Sequence, residues 1–455
     1  ESIKDIDDKT DGLLIKSENF QALNLLMERY KEQIKCVYID PPYNTDNDGF
    51  LYKDSFKHSS WISMMYDRLL ITKSLMSNDG WLCISIDDRE INKLLCQVEN
   101  IFGEENVVNT VAVKMSHLSG MKMAHIEDKI PKLKEYLIII SKNNKISKLK
   151  PQYEPADWDD VFDRYTNFIE WDEQEPSDYT KWERVLLKNA ALKRGIDINN
   201  KEIYNEFRIK NAHRIFRTAV NDSEEIKNNP KDDKFRLIKT ATGMLKYVYK
   251  AEEVLFASQY LKDFDGQMFP ARVLGDIWLD IGINNLHNEG GVQFPNGKKP
   301  IKLIQRIVNM CSSNNSIVLD FFAGSGSTVH SIVYGNKEGI KRKYIAVEMG
   351  DYFENKLLER VKKITYSNSW LLDRPTSRKG ISHMFKYIKL ESYEDTLNNI
   401  EIKRTQEQQI ALDEYKDIRE QYILSYMLDK EAGGSESLLN IDKFSNPFDY
   451  KMKIA

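Results

Sequence analysis

Residues 34–45 read IKCVYIDPPYNT, and this stretch decides the fold that the chain is expected to adopt. Its centre, residues 37–39, is short, apolar and mostly β-branched, as is typical of a buried strand. The strand is expected to end at Asp40, because two prolines follow and cannot continue the ladder of hydrogen bonds. The stretch therefore sets a carboxylate, the Pro41 carbonyl and the ring of Tyr43 at a sheet edge. Two acceptors and a ring can hold a flat heterocycle by its exocyclic amine; the alternative is a proline-rich turn with a local cap.

A second informative stretch, residues 316–328, reads SIVLDFFAGSGST. A β-branched strand runs into a turn of small residues, a helix follows, and the next strand ends in Glu348. Glycines such as Gly324 let the backbone approach a ligand, and an acid at the next strand end can take ribose hydroxyls. Val329 stands where a pyrophosphate-binding loop has its third glycine, and no lysine-bearing phosphate loop is present. S-adenosylmethionine therefore fits better than a dinucleotide or ATP; the alternative is a structural turn with an incidental acid.

Strand and helix patterns alternate before residue 141 and again after residue 270, which predicts a doubly wound α/β sheet. In such a sheet both motifs lie at the carboxyl ends of neighbouring strands, so Asp40 and Gly324 are expected to be close in space. The predicted domains are the catalytic half at 1–140, an insert at 141–270, the cofactor half at 271–375 and a C-terminal region at 376–455.

The insert has a different composition from its flanks. Residues 157–183 mix aromatic and acidic side chains, and residues 188–250 are rich in lysine and arginine with interleaved aromatics. Cations that neutralise phosphates and rings that stack on bases suit a nucleic-acid surface, although a solvated helical face has the same composition. The C-terminal region adds a strand-like stretch at 385–390 and a long helix at 404–430, which either packs on the main domain or serves an interface.

Charge and cysteine usage exclude several other classes. The formal net charge of −4 argues against an indiscriminate nucleic-acid binder, while a local basic cleft remains compatible with it. Four widely separated cysteines predict buried free thiols in a cytoplasmic protein, and neither they nor the histidines have metal-ligand spacing, so no metal site is expected. No membrane span or signal peptide is expected. Because the chain begins at Glu1 rather than Met, N-terminal sequence is expected to be missing.

The sequence Asp40-Pro41-Pro42-Tyr43 resembles the signature of amino-methyltransferases, which methylate adenine N6 or cytosine N4. The order of catalytic motif, insert and cofactor motif resembles the β class of DNA amino-methyltransferases. More closely, the chain resembles the modification subunits of type III restriction–modification systems, whose product is N6-methyladenine. Further stretches that carry the resemblance are 66–70, 84–88, 275–281, 299–300, 319–328, 385–387 and 446–450.

The resemblance implies a Rossmann-like methyltransferase sheet with an inserted target-recognition domain and a C-terminal helical or α+β extension. It assigns Asp40, Pro41, Pro42 and Tyr43 to catalysis. It places around S-adenosylmethionine Glu18, Asp40, Lys299, Asp320, Phe321, Phe322, Ala323, Gly324, Ser325, Gly326, Thr328 and Glu348. Glu18 follows Ser17 where family members often carry Gly-Asp. The implied partners are double-stranded DNA, a second copy of the chain, and a restriction subunit that is an ATP-dependent helicase-nuclease.

The expected reaction is direct transfer of the methyl group to the amine of a flipped-out base that stacks on Tyr43. Asp40 and the Pro41 carbonyl would accept the two amine hydrogens and favour a pyramidal nitrogen with an available lone pair. Three alternatives stay open: the same chemistry on cytosine N4, action on RNA or a protein glutamine, and a non-catalytic DNA-binding specificity subunit. Asp rather than Ser at position 40 favours adenine, and the large insert argues against RNA or protein.

Overall fold

The computed structural model describes residues 9–43, 58–116, 130–264, 266–282, 286–294, 298–336, 339–371 and 374–391. The chain forms two compact units, one made of Glu1–Lys150 with Gly275–Ala455 and the other of Pro151–Leu274. The second unit begins and ends somewhat later than the predicted insert. The predicted helix at 404–430 and the stretch at 446–450 lie outside the described residues.

Nine strands of the described part of the first unit form one sheet. They are β1 (Gly12–Lys16), β2 (Ile34–Ile39), β3 (Met76–Ile86), β4 (Val107–Lys114), β5 (Lys134–Ser141), β6 (Ile277–Trp278), β7 (Ile317–Asp320), β8 (Lys343–Glu348) and β9 (Phe385–Lys389). Their order is β6-β4-β5-β3-β2-β7-β8-β1-β9. Every pairing is parallel except the two made by β5, which runs against β3 and β4. The predicted doubly wound α/β sheet is confirmed.

Helices connect most of these strands, as a parallel sheet requires. They are α1 (Asn19–Tyr30), α2 (His58–Leu75), α3 (Ile91–Phe102), α4 (Ile301–Cys311), α5 (Ser327–Asn336) and α6 (Glu359–Tyr366), the last preceded by a π-helical turn at Phe353–Leu358. Trp61, Met65 and Leu69 lie on one face of α2 at helical spacing and are fully buried in the main core. The strand predicted at 385–390 is confirmed as β9, which pairs with β1 in this sheet. No helix among the described residues has the length and apolarity needed to cross a membrane.

The adjacency of the two motifs is confirmed by the strand order. β2 and β7 are parallel neighbours, with Val37 opposite Leu319. All residues of β2 except Lys35 are buried, which fits the nearly continuous apolar run of a central parallel strand. Because both strands run in the same direction, Asp40 and the loop after β7 emerge at the same edge of the sheet.

Strand β3 is longer than its sequence pattern indicates. Residues 78–80 read Asn-Asp-Gly, which is typical of a turn, but the strand begins at Met76. Its pairing with β2 jumps from Ile34 opposite Met76 to Cys36 opposite Trp81. Strand β3 therefore has more residues than β2 between these two pairs, as in a β-bulge. One of the extra residues, Asp79, forms an ion pair of 2.5 Å with Lys35.

The cysteine expectation is confirmed for three of the four residues. Cys36, Cys83 and Cys311 are buried free thiols, and the Cys83 and Cys311 sulfurs lie 3.6 Å apart. The expectation is wrong for Cys96, which is exposed. Helix α3 is amphipathic, and its buried face carries Leu94 and Val98 on either side of position 96.

The second unit is built mainly from antiparallel strands, which explains why its sequence lacks a strand–helix rhythm. One sheet has the order Phe235–Lys239, Leu245–Tyr249, Glu252–Phe256, Ile215–Ala219, Asn167–Glu170, Glu183–Leu186, and a smaller one comprises Leu261–Phe264, Gln267–Val273 and Tyr153–Pro155. Its helices are Trp158–Val161, Leu187–Lys193, Lys201–Lys210 and Glu224–Lys227. Aromatic side chains are abundant in both of its cores, so many rings in the basic stretch are structural.

Candidate active site

Asp40 follows the last residue of β2, and its two carboxylate oxygens have different surroundings. Oδ2 lies 2.9 Å from the Lys299 ammonium. Oδ1 is buried and has no hydrogen-bond partner within the described part of the chain. A buried acceptor without a partner is costly, so such an atom at a sheet edge marks a place where another molecule can donate. The predicted catalytic aspartate therefore presents one oxygen that is held and one that is available.

Tyr43 and Pro42 are fixed by groups from other elements. The Tyr43 hydroxyl donates to Glu135 Oε2 at 3.0 Å, and the Lys299 ammonium lies 4.7 Å from the centre of the Tyr43 ring. The Trp61 indole N–H of helix α2 donates to the Pro42 carbonyl at 2.8 Å. Both ends of the Pro-Pro-Tyr segment are thus attached to the main core, which limits its motion. Asn44 and Thr45 lie outside the described residues.

One ammonium serves two carboxylates at this edge. Lys299 lies 3.2 Å from Glu135 as well as 2.9 Å from Asp40. Burial raises the pKa of Asp40; Lys299 lowers it and Glu135 raises it again, with a net upward shift. Burial alone would lower the pKa of Lys299, but the two carboxylates outweigh it and raise that pKa. Lys299 therefore stays cationic, and the cluster carries an excess of negative charge when both acids are ionised.

The loop after β7 satisfies its own aspartate. Asp320 Oδ1 accepts from the Phe322 amide at 3.0 Å, and Oδ2 accepts from the Thr328 hydroxyl at 2.5 Å. Burial raises the pKa of Asp320 to about 7, against the lowering effect of these two bonds. Asp320 and Thr328 thus close the loop onto itself, and neither carboxylate oxygen is left without a partner.

Glu348, at the end of β8, holds the glycine turn. Its Oε2 accepts from the Gly324 amide and its Oε1 from the Gly350 amide, both at 2.8 Å. Burial raises the pKa of Glu348 despite these bonds. Gly324 and Gly326 have φ values of 53° and 80°, which favour glycine. A Cβ added to Gly324 would meet, among the described residues, only the Phe322 carbonyl at 3.9 Å, so this side of the turn is open to a ligand.

A fully buried arginine supports the glycine turn from the protein side. Arg360 of helix α6 donates to the hydroxyls of Ser325 at 3.1 Å and Ser327 at 2.8 Å. Burial lowers its pKa to about 10, which leaves it protonated near neutral pH. Sequence reasoning missed Arg360, because one arginine in an amphipathic helix carries no signal that it points inward.

The remaining predicted residues have mixed placements. Glu18 caps helix α1, with Oε2 accepting from the Gln21 amide at 3.1 Å and Oε1 paired with Arg68 at 2.5 Å. The next residue, Asn19, donates to the Phe321 carbonyl at 3.0 Å and so links this segment to the glycine loop. Lys299, predicted near the cofactor, lies among the residues of the β2 end. The Ala323 amide donates to the backbone of β8. The structure thus brings the catalytic and cofactor predictions to one edge.

Glu135 also escaped sequence reasoning, although it contacts both Tyr43 and Lys299. It lies near the start of β5, which runs antiparallel to β3. The start of a reversed strand lies at the edge where its parallel neighbours end. A glutamate before an apolar run was visible in the sequence, but the strand direction was not. Among the described residues, no group of three or more histidine, cysteine or acidic side chains could hold a metal ion.

The residues at the glycine turn fit a nucleoside. The open side of Gly324 gives room for a flat ring, and Glu348 places a carboxylate directly at the turn through its bonds to the Gly324 and Gly350 amides. A carboxylate at this place is the acceptor to which ribose hydroxyls donate in nucleoside-binding βαβ units. Asp320 and Thr328, by contrast, have their polar atoms engaged with each other and act on the shape of the loop.

Comparisons with known proteins point to one family. The model of the N6/N4 methyltransferase family, described as DNA methylase, matches residues 34–359. The probable type III restriction-modification enzyme HindVI Mod subunit of Haemophilus influenzae is 29% identical, covering 91% of this chain and 58% of that protein. The EcoPI Mod subunit of Escherichia phage P1 is 25% identical, covering 82% and 62%. The chain therefore spans about three-fifths of the length of these relatives.

Two further similarities complete the comparison. The type II methyltransferase M.KpnI of Klebsiella pneumoniae is 24% identical, covering 75% of this chain and 81% of that protein. Among solved structures, the M1.HpyAVI–SAM complex aligns with a TM-score of 0.37 and 12% identity, covering 77% of this chain and 98% of the other.

Proposed function

Because the chain belongs to the N6/N4 DNA methylase family, matched over residues 34–359, we propose that it methylates DNA at the exocyclic amine of a base, with adenine N6 as the target. The observation that carries the proposal is the buried Oδ1 of Asp40, which has no hydrogen-bond partner among the described residues and lies at the same sheet edge as the Gly324 turn. A free acceptor, a ring and an open glycine turn are the three elements that an amino-methyltransferase needs together.

S-adenosylmethionine, the proposed donor, supplies a methyl group activated by its positive sulfonium. Glu348 would accept hydrogen bonds from the ribose hydroxyls, and the open side of Gly324 would lie against the nucleoside. Arg360 keeps the turn in shape through Ser325 and Ser327 without contacting the ligand. Cofactor binding in this proposal depends mainly on backbone shape and one carboxylate.

Asp40 would activate the amine by accepting a hydrogen bond from one of its N–H groups, and the proton that the nitrogen must lose once it carries the methyl group would pass to the Asp40 carboxylate. The lone pair of an aromatic amine is delocalised into the ring, so the nitrogen is a poor nucleophile until its hydrogens are held in a pyramidal arrangement. Asp40 Oδ1 and the Pro41 carbonyl would hold the two hydrogens. The excess negative charge of the Asp40–Lys299–Glu135 cluster would stabilise the positive charge that develops on the nitrogen.

The base must leave the duplex to reach this edge, and Tyr43 is proposed to stack on it. The hydroxyl bond to Glu135 and the ammonium of Lys299 restrain the Tyr43 ring, so the platform is formed in advance. The unit at Pro151–Leu274 is proposed as the part that recognises the DNA sequence. The Mod relatives are named as subunits of type III restriction-modification enzymes, so a restriction subunit is a proposed partner. Its helicase-nuclease activity and a second copy of the chain as a further partner are proposed from the family resemblance alone.

The alternative target is cytosine N4, because the matched family includes both kinds of amine. The aspartate at position 40 and the resemblance to Mod subunits favour adenine. A non-catalytic DNA-binding subunit is the other alternative. It would not need to bury a carboxylate oxygen that has no partner among the described residues, since that arrangement costs stability unless a bound molecule donates to it.

The test is transfer of labelled methyl groups from S-adenosylmethionine to unmethylated duplex DNA of mixed sequence, followed by analysis of the nucleosides. We expect N6-methyladenine with the parent chain and none with Asp40→Ala. Asp67→Ala, at an exposed position of helix α2, is the matched control and should retain activity. Label in N4-methylcytosine would change the target and keep the mechanism. Cofactor binding without any label on DNA would overturn the proposal.

A further inference from the structure

Glu135 is brought to the β2 end by the reversal of one strand. Strand β5 runs antiparallel to its neighbours, with Glu135 opposite Val113 of β4 and Tyr136 opposite Ile86 of β3. The second residue of β5 therefore lies at the edge where β2 and β3 end. Its carboxylate joins a site whose other acid, Asp40, comes from a different strand.

Glu135 connects two members of the catalytic cluster. Its Oε2 accepts from the Tyr43 hydroxyl at 3.0 Å and lies 3.2 Å from the Lys299 ammonium. Lys299 in turn lies 2.9 Å from Asp40 Oδ2. These contacts form one continuous chain, Asp40–Lys299–Glu135–Tyr43, in which Glu135 reaches both the ring and, through the ammonium, the acceptor. Lys299 is 10% exposed, so water screens the chain only weakly.

We propose that Glu135 is a positioning residue for the methyl transfer, holding the Tyr43 ring for the base and sharing Lys299 with Asp40. The inference rests on the proposed function and deepens it. If Lys299 paired with Asp40 alone, the ammonium would neutralise the carboxylate that must accept from the amine. Because Lys299 is shared with Glu135, it neutralises Asp40 less, and Asp40 Oδ1 remains a stronger acceptor. The Tyr43 ring, held by Glu135, stays in place for the base.

The charged and titratable groups that face Asp40 give a distinctive pH signature. They are Lys299, Glu135 and Tyr43, with Asp320 of β7 and Tyr38 of β2 further off. Burial raises the pKa of Asp40 most, Lys299 lowers it, and the negative charge of Glu135 raises it. Removing that charge should therefore lower the pKa of Asp40. The acid limb of the rate profile, which follows ionisation of Asp40, should move to lower pH.

The experiment compares Glu135→Gln, Glu135→Asp and the control Glu99→Gln, at an exposed position of helix α3, with the parent chain. Single-turnover rates of methyl transfer to mixed-sequence DNA are measured across pH, and S-adenosylmethionine affinity is measured by calorimetry. We expect Glu135→Gln to lower the rate by about tenfold to a hundredfold, as misplacement of a reacting group does, with cofactor affinity unchanged. Its acid limb should shift to lower pH. Glu135→Asp should lose rate but keep the parent limb, since the charge remains.

A double-mutant cycle with Tyr43→Phe tests whether Glu135 acts through the ring. The Phe variant loses the hydroxyl that donates to Glu135. If the two residues act as a unit, the double variant should be little slower than the slower single variant. Additive losses would overturn the role in holding the ring.

The outcomes separate this inference from the proposed function. Absence of transfer by the parent chain would overturn both. Transfer by the parent together with a parent-like rate in Glu135→Gln would overturn the inference alone. So would a slower Glu135→Gln whose acid limb has not moved, because a merely structural loss leaves the pKa of Asp40 in place. If Glu135→Gln does not fold, Glu135→Asp decides through its rate, and a parent-like rate there would refute the positioning role.

Discussion

Two parallel neighbours in the main sheet, β2 and β7, are each followed or ended by an aspartate, and the two side chains meet different partners. Both oxygens of Asp320 accept hydrogen bonds from its own loop. Asp40 has one oxygen paired with Lys299 and one, buried, without a partner in the described part of the chain. The same residue type at adjacent strand ends thus stabilises a loop in one place and leaves a buried acceptor available to a bound molecule in the other.

Replacing aspartate by asparagine at each of the two strand ends tests this comparison, and the largest effect is expected at Asp40. Asp40→Asn keeps the volume of the side chain but removes the charge and turns one oxygen into a donor. We expect the rate of methyl transfer to fall by about a thousandfold or more, the scale of losing a group that stabilises charge in the transition state. Single-turnover transfer to duplex DNA measures it. A loss of less than about tenfold would show that Asp40 does not hold the amine, since such losses arise from indirect effects.

The placement of the two strand ends at one edge of the sheet could be predicted from the sequence. The apolar run before Asp40 and the strand–glycine turn before Gly324 are local patterns, and parallel strands meeting at one edge is a general property of the α/β fold, so the two motifs could be placed together. The side chains that contact Asp40 could not be predicted in the same way. The position of Glu135 depends on the direction of β5. That direction follows from how the strands pair across the sheet, which a single sequence does not reveal.

Local patterns also failed where the residue's environment is set by the fold. Cys96 lies in an apolar stretch but on the outer face of its helix, and Arg360 is charged but fully buried. Lys299 lies between Asp40 and Glu135, contacts that the sequence did not indicate, while its predicted place at the cofactor stays a prediction. In each case the residue type and its neighbours in sequence were known, and the packing partner several elements away decided the role.

The next prediction concerns Arg360, which supports the glycine turn that follows β7 and Asp320. Arg360→Met keeps most of the volume but removes the donors to Ser325 and Ser327. Because these hydroxyls are buried and would lose their donor, we expect the free energy of unfolding to fall by about 1 to 3 kcal/mol, the cost of leaving a buried acceptor without a partner. Denaturant unfolding without cofactor measures the change. Lys363→Met in the same helix, nearer the surface, is the control; an equal loss there would mean that Arg360 has no special role in the turn.

A smaller effect is expected at Glu348, which accepts hydrogen bonds from the backbone of the glycine turn. Glu348→Gln has only one oxygen, so it can accept from the Gly324 or the Gly350 amide but not from both through oxygen. We expect the KM for S-adenosylmethionine to rise about tenfold, the value of one hydrogen bond to a charged group, with less change in kcat. Glu354→Gln, at an exposed position of the following turn, is the control. A fall in kcat with unchanged KM would move Glu348 from cofactor binding to chemistry.

The smallest effect on methyl transfer is expected at Asp320, the counterpart of Asp40 at the end of β7, where the main change is in the pH dependence of stability. Burial raises the pKa of Asp320 to about 7, above the value of about 3.9 for an unfolded chain. Between these values the folded state holds a proton that the unfolded state has lost, so stability falls as pH rises, by about 1.4 kcal/mol per pH unit at most. Above the folded pKa the loss is complete and stays constant.

Asp320→Asn cannot ionise, so it should escape this loss. We expect its stability relative to the parent chain to increase from pH 5 to pH 8, while methyl transfer stays within about tenfold of the parent because no reacting group is touched. Thermal unfolding at the two pH values, beside Asp67→Asn as control, measures it. A parent-like pH dependence would mean that Asp320 is ionised throughout and that its bonds to Phe322 and Thr328 outweigh burial. A thousandfold loss of transfer would instead give both strand ends the same role and remove the contrast between them.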